Sequence, residues 1–401
     1  MSSDQHPRPV VRLRPKAEAR AIRHGVPWVY ADELVMDRRT QALAPGALAV
    51  LEDAERTPMG LVTVNPVSKI VARMLDRDAG ATLDAAWLTQ RLTRALALRE
   101  ALYDQPFYRL VHAEADGLPG VIIDRFGDTA VIQPNAAWAE AHLEALQAAL
   151  VAVTGVRCVV KNGAGRARQL EGLSEETTVL MGALDGPVAV TMNGATYMAD
   201  VMGGQKTGLF LDQRDNHTFA ARLGRGGRVL DVFSHVGGFG LAALAAGATH
   251  ALAIDGSEAA LALARQGAEA MGAADRFTTQ RADAFDALEA MNTEAAQFQL
   301  VVCDPPAFAP HRKALEAGLR AYERVAKLAA PLVAPGGYLV LCSCSHAVDL
   351  AAFRSASARG IGRGGRRAQL IHTGFAGPDH PMLPQLAESG YLKALVFRLD
   401  G

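Results

Sequence analysis

The sequence predicts an α/β fold. A doubly wound parallel sheet fills the C-terminal half, preceded by a smaller α+β segment and an N-terminal, mostly β module. Three observations predict it. From about residue 200 the chain alternates between short apolar strand-type runs and helical stretches, the rhythm of a parallel sheet covered by helices. Between 8 and 80, short apolar runs are bounded by Pro and Gly, as in a small β structure. Half of the 401 residues are hydrophobic, enough for two or three separate cores.

The elements follow in order. Residues 1–7 carry no pattern and are expected to be disordered. Strands are expected over 10–14, 47–52, 60–64 and 69–75, with one short helix over 16–24. A helical pattern runs over 84–103, strands over 108–113, 121–126 and 129–133, and a second helix over 138–153. The Asn193-Gly194 pair between two apolar runs marks a hairpin, because both residues tolerate the positive φ of a two-residue turn. Strands over 228–233, 250–254, 277–280, 298–303 and 338–343 then alternate with helices, among them 238–246 and 257–271. Ser257 and Glu258 suit the start of the latter. Domain boundaries are expected at 8–80, 81–198 and 199–401.

Composition excludes several function classes. Lys+Arg number 41 and Asp+Glu 42, so the chain is not coated with nucleic acid, although local basic patches remain open. Arg8, Arg12, Arg14, Lys16, Arg20 and Arg23 form such a patch at the basic start of the β module, and Arg359, Arg363, Arg366 and Arg367 form another, fit to grip phosphates or to lie in a flexible solvated loop. No apolar stretch follows a basic one at the N-terminus and no run of about 20 apolar residues lacks charge, so a cytoplasmic protein without a membrane span is expected. Four cysteines (Cys158, Cys303, Cys342 and Cys344) show neither a metal-ligand framework nor a disulfide pattern, so no metal is expected.

In doubly wound sheets the ligand lies outside the carboxyl ends of the strands. Four signals fall at such ends. Asp231-Val-Phe-Ser-His-Val-Gly-Gly-Phe-Gly240 follows the first strand, and its glycines let a backbone approach a ligand closely. Asp255 ends the second strand, where a carboxylate accepts hydrogen bonds from a ribose diol. Asp283 ends the third. Asp304 ends the fourth and opens Asp304-Pro-Pro-Ala-Phe308, in which two prolines stiffen the backbone and hold Asp304 and Phe308 toward a planar substrate. The glycines do not form the G-x-G-x-x-G dinucleotide fingerprint, and a nicotinamide dehydrogenase has no use for the Asp-Pro-Pro segment.

With these motifs in view, the chain resembles the bacterial 23S rRNA cytosine-C5 methyltransferases of the RlmI-like type over nearly its whole length. The resemblance rests on segment 205–214 (Gln-Lys-Thr-Gly-Leu-Phe-Leu-Asp-Gln-Arg), on 233–239, on 304–308 and on Cys344 between Ser343 and Ser345. Asp116-Gly-Leu-Pro-Gly120 and Ile123-Asp-Arg-Phe-Gly127 resemble the family's middle domain, Pro27-Trp-Val-Tyr30 its RNA-binding PUA barrel, and Tyr391-Leu-Lys393 its C-terminal strand. Ala307 departs from the pattern, where Lys is usual in the best-known members. The family implies a class I Rossmann-like methyltransferase domain behind an α+β domain and a PUA-like barrel. It also implies S-adenosylmethionine as cofactor, ribosomal RNA as partner and 5-methylcytosine as product. Oligomeric state, monomer or homodimer, stays open. Gln213, Arg214, Phe233, Ser234, Gly237, Gly238, Asp255, Asp283 and Asp304 are the residues expected around the cofactor, and Lys206 and Arg214 are expected to shape its mouth or that of the RNA.

Cytosine C5 is a poor nucleophile until a thiolate adds to C6, so the chemistry needs a cysteine beside the base. Cys344 matches the family's nucleophile, ahead of Cys342 and Cys303, and Asp304 is expected to hydrogen-bond the N3/N4 edge. His235 and His346 are weaker candidates for a base. Two alternatives remain open. One is methylation of an exocyclic amine by Asp304-Pro-Pro without a cysteine. The other is an inactive RNA-binding or ribosome-assembly protein, against which the intact Asp255, Asp283 and Asp304 argue. A small-molecule methyltransferase would leave the basic N-terminal module unexplained.

Overall fold

A computed structural model describes residues 8–204, 207–386 and 389–400. The expectation of disorder for 1–7 and the role expected of Lys206 lie outside these residues. The chain divides into two compact units, residues 1–185 with 381–387, and residues 186–380 with 388–401.

The first unit holds two five-stranded sheets. Strands β1 (Val10–Arg12), β2 (Trp28–Tyr30), β3 (Ala47–Glu52), β4 (Pro58–Val64) and β5 (Ile70–Asp76) pair in the order β1-β3-β4-β5-β2. Only the β1–β3 pairing is parallel. Two short helices, α1 (Ala19–Arg23) and α2 (Arg38–Gln41), interrupt it. Leu13, Leu34, Leu51, Val62 and Val71 fill its core. The second sheet comprises β6 (Phe107–His112), β7 (Val121–Phe126), β8 (Thr129–Pro134), β9 (Cys158–Lys161) and β10 (Thr178–Met181), and helix α3 (Ala85–Leu102) belongs to its core. Asp84 caps α3 by accepting from the Trp87 amide, which fixes its start. The single helix expected over 138–153 is two, α4 (Ala137–Ala141) and α5 (Leu143–Thr154), broken where His142 leaves helical geometry at φ −112°, ψ 21°. A further short helix, α6 (Arg166–Leu170), precedes Glu171. Buried Glu171 accepts from Asn65, Ser68 and Arg73, the last at 2.9 Å, so one carboxylate ties the two sheets of this unit.

The second unit opens with a hairpin, β11 (Val188–Met192) and β12 (Ala195–Ala199), turned at Asn193-Gly194 with φ of 58° and 74°. Helix α7 (Arg214–Leu223) follows. Then come β13 (Arg228–Val232), α8 (Gly238–Ala245), β14 (His250–Asp255), α9 (Glu258–Ala270), β15 (Phe277–Arg281), α10 (Ala284–Thr293), β16 (Phe298–Cys303), α11 (Leu315–Ala329), β17 (Val333–Ser343), α12 (Leu350–Arg363), β18 (Ala368–Gly374) and β19 (Lys393–Leu399). The hairpin packs on α8 and α9 and so joins this unit, whereas the sequence suggested a boundary after it, at 198/199.

Seven strands form one sheet in the order β15-β14-β13-β16-β17-β19-β18. The sheet is parallel through β17, while β19 and β18 add an antiparallel edge that the strand–helix rhythm did not reveal. Its interior is a run of buried Leu, Val and Phe, including Leu230, Val301, Leu339 and Phe353. Each such side chain contributes about 1.5–3 kcal/mol by leaving water. Sheet order reverses between β13 and β16, which opens a crevice at their carboxyl ends.

The basic run 359–367 is not a single loop, and three of its four arginines have protein partners. Arg359 and Arg363 lie on α12 and pair with Glu323 of α11, and Arg366 donates to the carbonyls of Ala330, Val333 and Asp400.

Candidate active site

A cavity of about 500 Å³ occupies that crevice, a size suited to a cofactor or drug-sized ligand. Its floor is the turn after β13. Phe233, His235 and Gly237 all take positive φ, at 63°, 49° and 81°. The turn is held by hydrogen bonds from the Ser234 amide to the Ile254 carbonyl (3.0 Å) and from the Gly237 amide to the Ser234 carbonyl (2.8 Å). Two non-glycine residues in the left-handed region mark a backbone that its surroundings over-determine. At Gly238 a Cβ would stand 2.8 Å from the His217 ring, so only glycine lets α8 start there.

Three carboxylates end three adjacent strands around this floor. Asp255 accepts from the His235 amide through Oδ2 and from the Ser257 amide through Oδ1, both at 2.8 Å. Ionised carboxylates have about four acceptor positions, so further donors can be taken. Asp304 accepts from Gln213 Nε2 at 2.8 Å, and Asn216 donates to Gln213 Oε1 at 2.6 Å, which turns the Gln213 amide nitrogen toward Asp304. Asp231 is buried and accepts from the Gly240 amide at 2.8 Å. Burial pushes its pKa up to about 7, against the pull of the Gly240 and Phe239 amides and with the Asp304 and Asp255 charges adding to the rise. His217 also lines the cavity, buried against the Phe239 ring at 4.4 Å, and desolvation lowers its pKa to about 3, so it is a neutral imidazole.

Across the cavity stand Pro305, Pro306 and Cys344. Cys344 Sγ lies 4.0 Å from the Pro305 carbonyl oxygen. Its neighbours turn inward: Ser343 Oγ and Ser345 Oγ both bond the Tyr322 hydroxyl, at 2.9 and 2.8 Å, and the Ala309 amide donates to Ser345 Oγ at 3.0 Å. The Cys344 turn and the Asp304 loop are thereby tied to one buried phenol. Of the four cysteines, Cys158, Cys303 and Cys342 are buried and only Cys344 is partly exposed. Burial pushes the Cys303 and Cys342 thiols far up, which suits small apolar packing rather than nucleophilic work.

Of the expected residues, Gln213, Phe233, Ser234, Gly238, Asp255, Asp304 and Cys344 all line the cavity. Arg214, Gly237 and Asp283 lie outside its lining. Arg214 opens α7 as a largely buried residue. Gly237 closes the turn at a point where an added Cβ would stand 3.2 Å from Ala264 and Leu241. Asp283 caps α10 by accepting from the Phe285 and Asp286 amides. Phe308 lies outside the lining as well: its ring packs 4.9 Å from that of Tyr322 and leans on the core of the sheet. His235 is in the lining and His346 is not. Sequence reading passed over Asp231 as a site residue, although it ends the first strand just as Asp255 and Asp304 end theirs. His217 left no signal, because its helix was not foreseen. Among the described residues no group of His, Cys, Asp or Glu is placed to hold a metal ion, and no helix is long and apolar enough to cross a membrane.

The lining fits a polar cofactor with an apolar ring. Asp231 Oδ1 and Ser234 Oγ are buried at the cavity with no protein partner, Asp255 has acceptor positions to spare, and Val236, Ala260, Leu263 and Phe210 supply apolar walls. Fold and site together define a class I methyltransferase, and residues 142–398 match the S-adenosylmethionine-dependent methyltransferase family, with residues 11–77 matching a PUA-like domain. Two solved structures share the fold. A putative SAM-dependent methyltransferase from Streptococcus mutans has a TM-score of 0.80 at 18% identity, covering 97% of this chain and 100% of its own. A putative methyltransferase complexed with SAH has a TM-score of 0.81 at 18% identity, covering 98% and 100%. Curated relatives are closer in sequence. "Ribosomal RNA large subunit methyltransferase" of Deinococcus radiodurans is 36% identical over the full length of both chains. "Ribosomal RNA large subunit methyltransferase I" of Pseudoalteromonas atlantica is 32% identical over 97% of this chain and 99% of its own, and that of Aeromonas hydrophila 37% identical over 82% and 85%. The chain belongs to the ribosomal RNA large subunit methyltransferase I family, and its cofactor is S-adenosylmethionine.

Proposed function

We propose that this protein methylates C5 of a cytosine in large-subunit ribosomal RNA, with Cys344 as nucleophile and Asp304 on the base edge. The observation that carries the reading is that Cys344, alone of the four cysteines in being partly exposed, lines the same cavity as Asp304 and the Pro305-Pro306 wall. When bound, S-adenosylmethionine supplies an electrophilic methyl group on sulfonium sulfur. Asp255 would hold the ribose hydroxyls, and the 233–238 turn would hold the rest of the cofactor. The Cys344 thiolate adds to cytosine C6, forming a C–S bond and pushing the C5=C6 electron pair onto C5. So activated, C5 would be the nucleophile for the cofactor's methyl group, whose bonding pair would stay on sulfur. A base removes the C5 proton, the double bond re-forms and the C6–S bond breaks, returning its electron pair to Cys344. Asp304, held by Gln213, would hydrogen-bond the N3/N4 edge during these steps.

The first unit would supply RNA affinity. Arg14, Lys16, Arg20 and Arg23 are exposed on its β module, a placement suited to phosphate contacts. The module is assigned to residues 8–80 and the α+β domain to the residues that follow it, with the hairpin 188–199 counted in the catalytic unit.

RNA carrying 5-fluorocytidine tests the chemistry, because fluorine cannot leave as a proton does. The wild type should be trapped covalently after methyl transfer, Cys344→Ser should not, and Cys303→Ser still should. Full turnover by Cys344→Ser together with no adduct in the wild type would replace this reading with amine methylation at Asp304-Pro-Pro.

A further inference from the structure

We propose that Lys393 is a positioning residue whose buried ammonium holds Cys344 as a thiolate. The inference rests on Cys344 being the nucleophile. Lys393 opens β19, and its backbone pairs with Ser343 across the antiparallel register, one residue before Cys344. Its side chain is almost fully buried, an environment that lysine occupies only with strong partners. Nζ donates to the carbonyls of Ser345 (2.8 Å) and Val348 (2.7 Å), so the cation sits beneath the turn that presents Cys344. Two carbonyl oxygens accept from it, and neither cancels its charge. No ion pair joins it to a carboxylate among the described residues.

The other titratable groups about the turn are Asp304 from the end of β16, Cys342 from β17, Tyr322 from α11, His346 in the turn itself and Asp349 at the start of α12. Asp304, Cys342, Tyr322 and Asp349 can add only negative charge, which disfavours a thiolate. Among the described residues Lys393 and, when protonated, His346 can oppose them. Burial lowers its own pKa, and the Cys344 and Asp349 charges act to restore it, as expected of a cation that faces an anion. Nucleophilic cysteines are commonly activated by a nearby lysine in this way.

Alkylation of the full-length protein by iodoacetamide from pH 5 to 10, read by mass spectrometry of the Cys344 peptide, tests the coupling without RNA. Lys393→Gln keeps a donor and removes the charge; Lys393→Arg keeps the charge. We expect the Gln variant's alkylation midpoint to rise by about one pH unit, making the reaction at pH 7 about tenfold slower, and the Arg variant to stay near the wild type. Binding of S-adenosylhomocysteine reports whether each variant is folded. A second measurement leaves Lys393 in place: the urea stability of the wild type relative to Cys344→Ala should grow as pH rises through the range where the unfolded thiol is still protonated, up to about 8.5. A Gln profile that overlays the wild type in a folded protein overturns the proposal, and so does a pH-independent stability difference. Either result leaves the nucleophile reading standing. A Cys344→Ser enzyme with full turnover defeats that reading without altering the alkylation profile.

Discussion

On one side of the cavity the backbone does the holding: the amides of His235, Ser257 and Gly240 fix Asp255 and Asp231, and three positive-φ residues shape the floor. On the other side the work falls to side chains far apart in sequence. Tyr322 ties Ser343 and Ser345, Lys393 braces the following turn, and Gln213 aims at Asp304. The first arrangement suits a cofactor that is the same in every turnover. The second suits a reaction in which a thiolate and a base edge must be brought together. Backbone holding is robust to most substitutions but intolerant of a Cβ at Gly238, whereas side-chain holding can be dismantled one hydroxyl or ammonium at a time.

The largest effect should come from the side-chain half. Cys344→Ser exchanges a soft, ionisable sulfur for a hydroxyl neutral at pH 7, and single-turnover rates on ribosomal RNA should fall about a thousandfold or more, roughly 4 kcal/mol of transition-state stabilisation. Affinity for S-adenosylhomocysteine should stay within about twofold; a parallel loss of affinity would mean that the two halves are not separable in this way.

Changes in the cofactor half should be smaller and should act on binding. Asp255→Ala removes a charged acceptor, at a cost of about 1.5–3 kcal/mol, so calorimetry should show S-adenosylhomocysteine binding weakened about 10- to 100-fold. Unchanged affinity would remove Asp255 from the ribose site.

A pH experiment sets two buried groups of the lining, Asp231 and His217, against each other. Asp231, raised to about 7, keeps its proton in the folded state between its unfolded value near 3.8 and 7, so its contribution to stability is lost as pH rises through that window. His217, lowered to about 3 from 6.5, stays neutral when folded, so its contribution is lost as pH falls from 6.5 toward 3. The two slopes oppose each other between about 4 and 6.5. Asp231→Asn should unmask the histidine, and urea melts of that variant should lose up to about 1.4 kcal/mol per pH unit on acidification relative to the wild type. Equal pH slopes in both proteins would contradict the buried protonated carboxyl.

The smallest effect is expected at Tyr322. Tyr322→Phe strips one hydroxyl from a buried three-oxygen cluster, and should lower stability by about 0.5–1.5 kcal/mol and slow turnover with little change in cofactor affinity.

The same contrast explains what could be read in advance. Asp255, Asp304 and the 233–240 turn stand at strand ends in a strand–helix rhythm, and local pattern is enough to find them. The resemblance led to Gln213 and Cys344. Tyr322, Lys393 and His217 are ordinary residues in their own segments; what distinguishes them is contact across tens of residues, which no local spacing records. Phe308 was misjudged for a related reason. Spacing places an aromatic after Asp-Pro-Pro, but Tyr322 and Phe285 on neighbouring helices decide that its ring goes to the core. Of the antiparallel edge, the resemblance pointed to β19 through Tyr391-Leu-Lys393, while β18 was hidden because it carries mostly exposed residues and lacks the apolar run of an interior strand.

The division of the chain has a bearing on how this protein is made. Residues 381–387 belong to the first unit, where Gln385 Nε2 donates to the His24 carbonyl at 3.0 Å, a link between positions 361 residues apart. Synthesis proceeds from the N-terminus, so the first unit waits for its last piece until all but the final strand of the second has been translated. A nascent chain halted at residue 185 would therefore lack part of its own first unit, and fragments cut at either edge of that unit would inherit the same deficit.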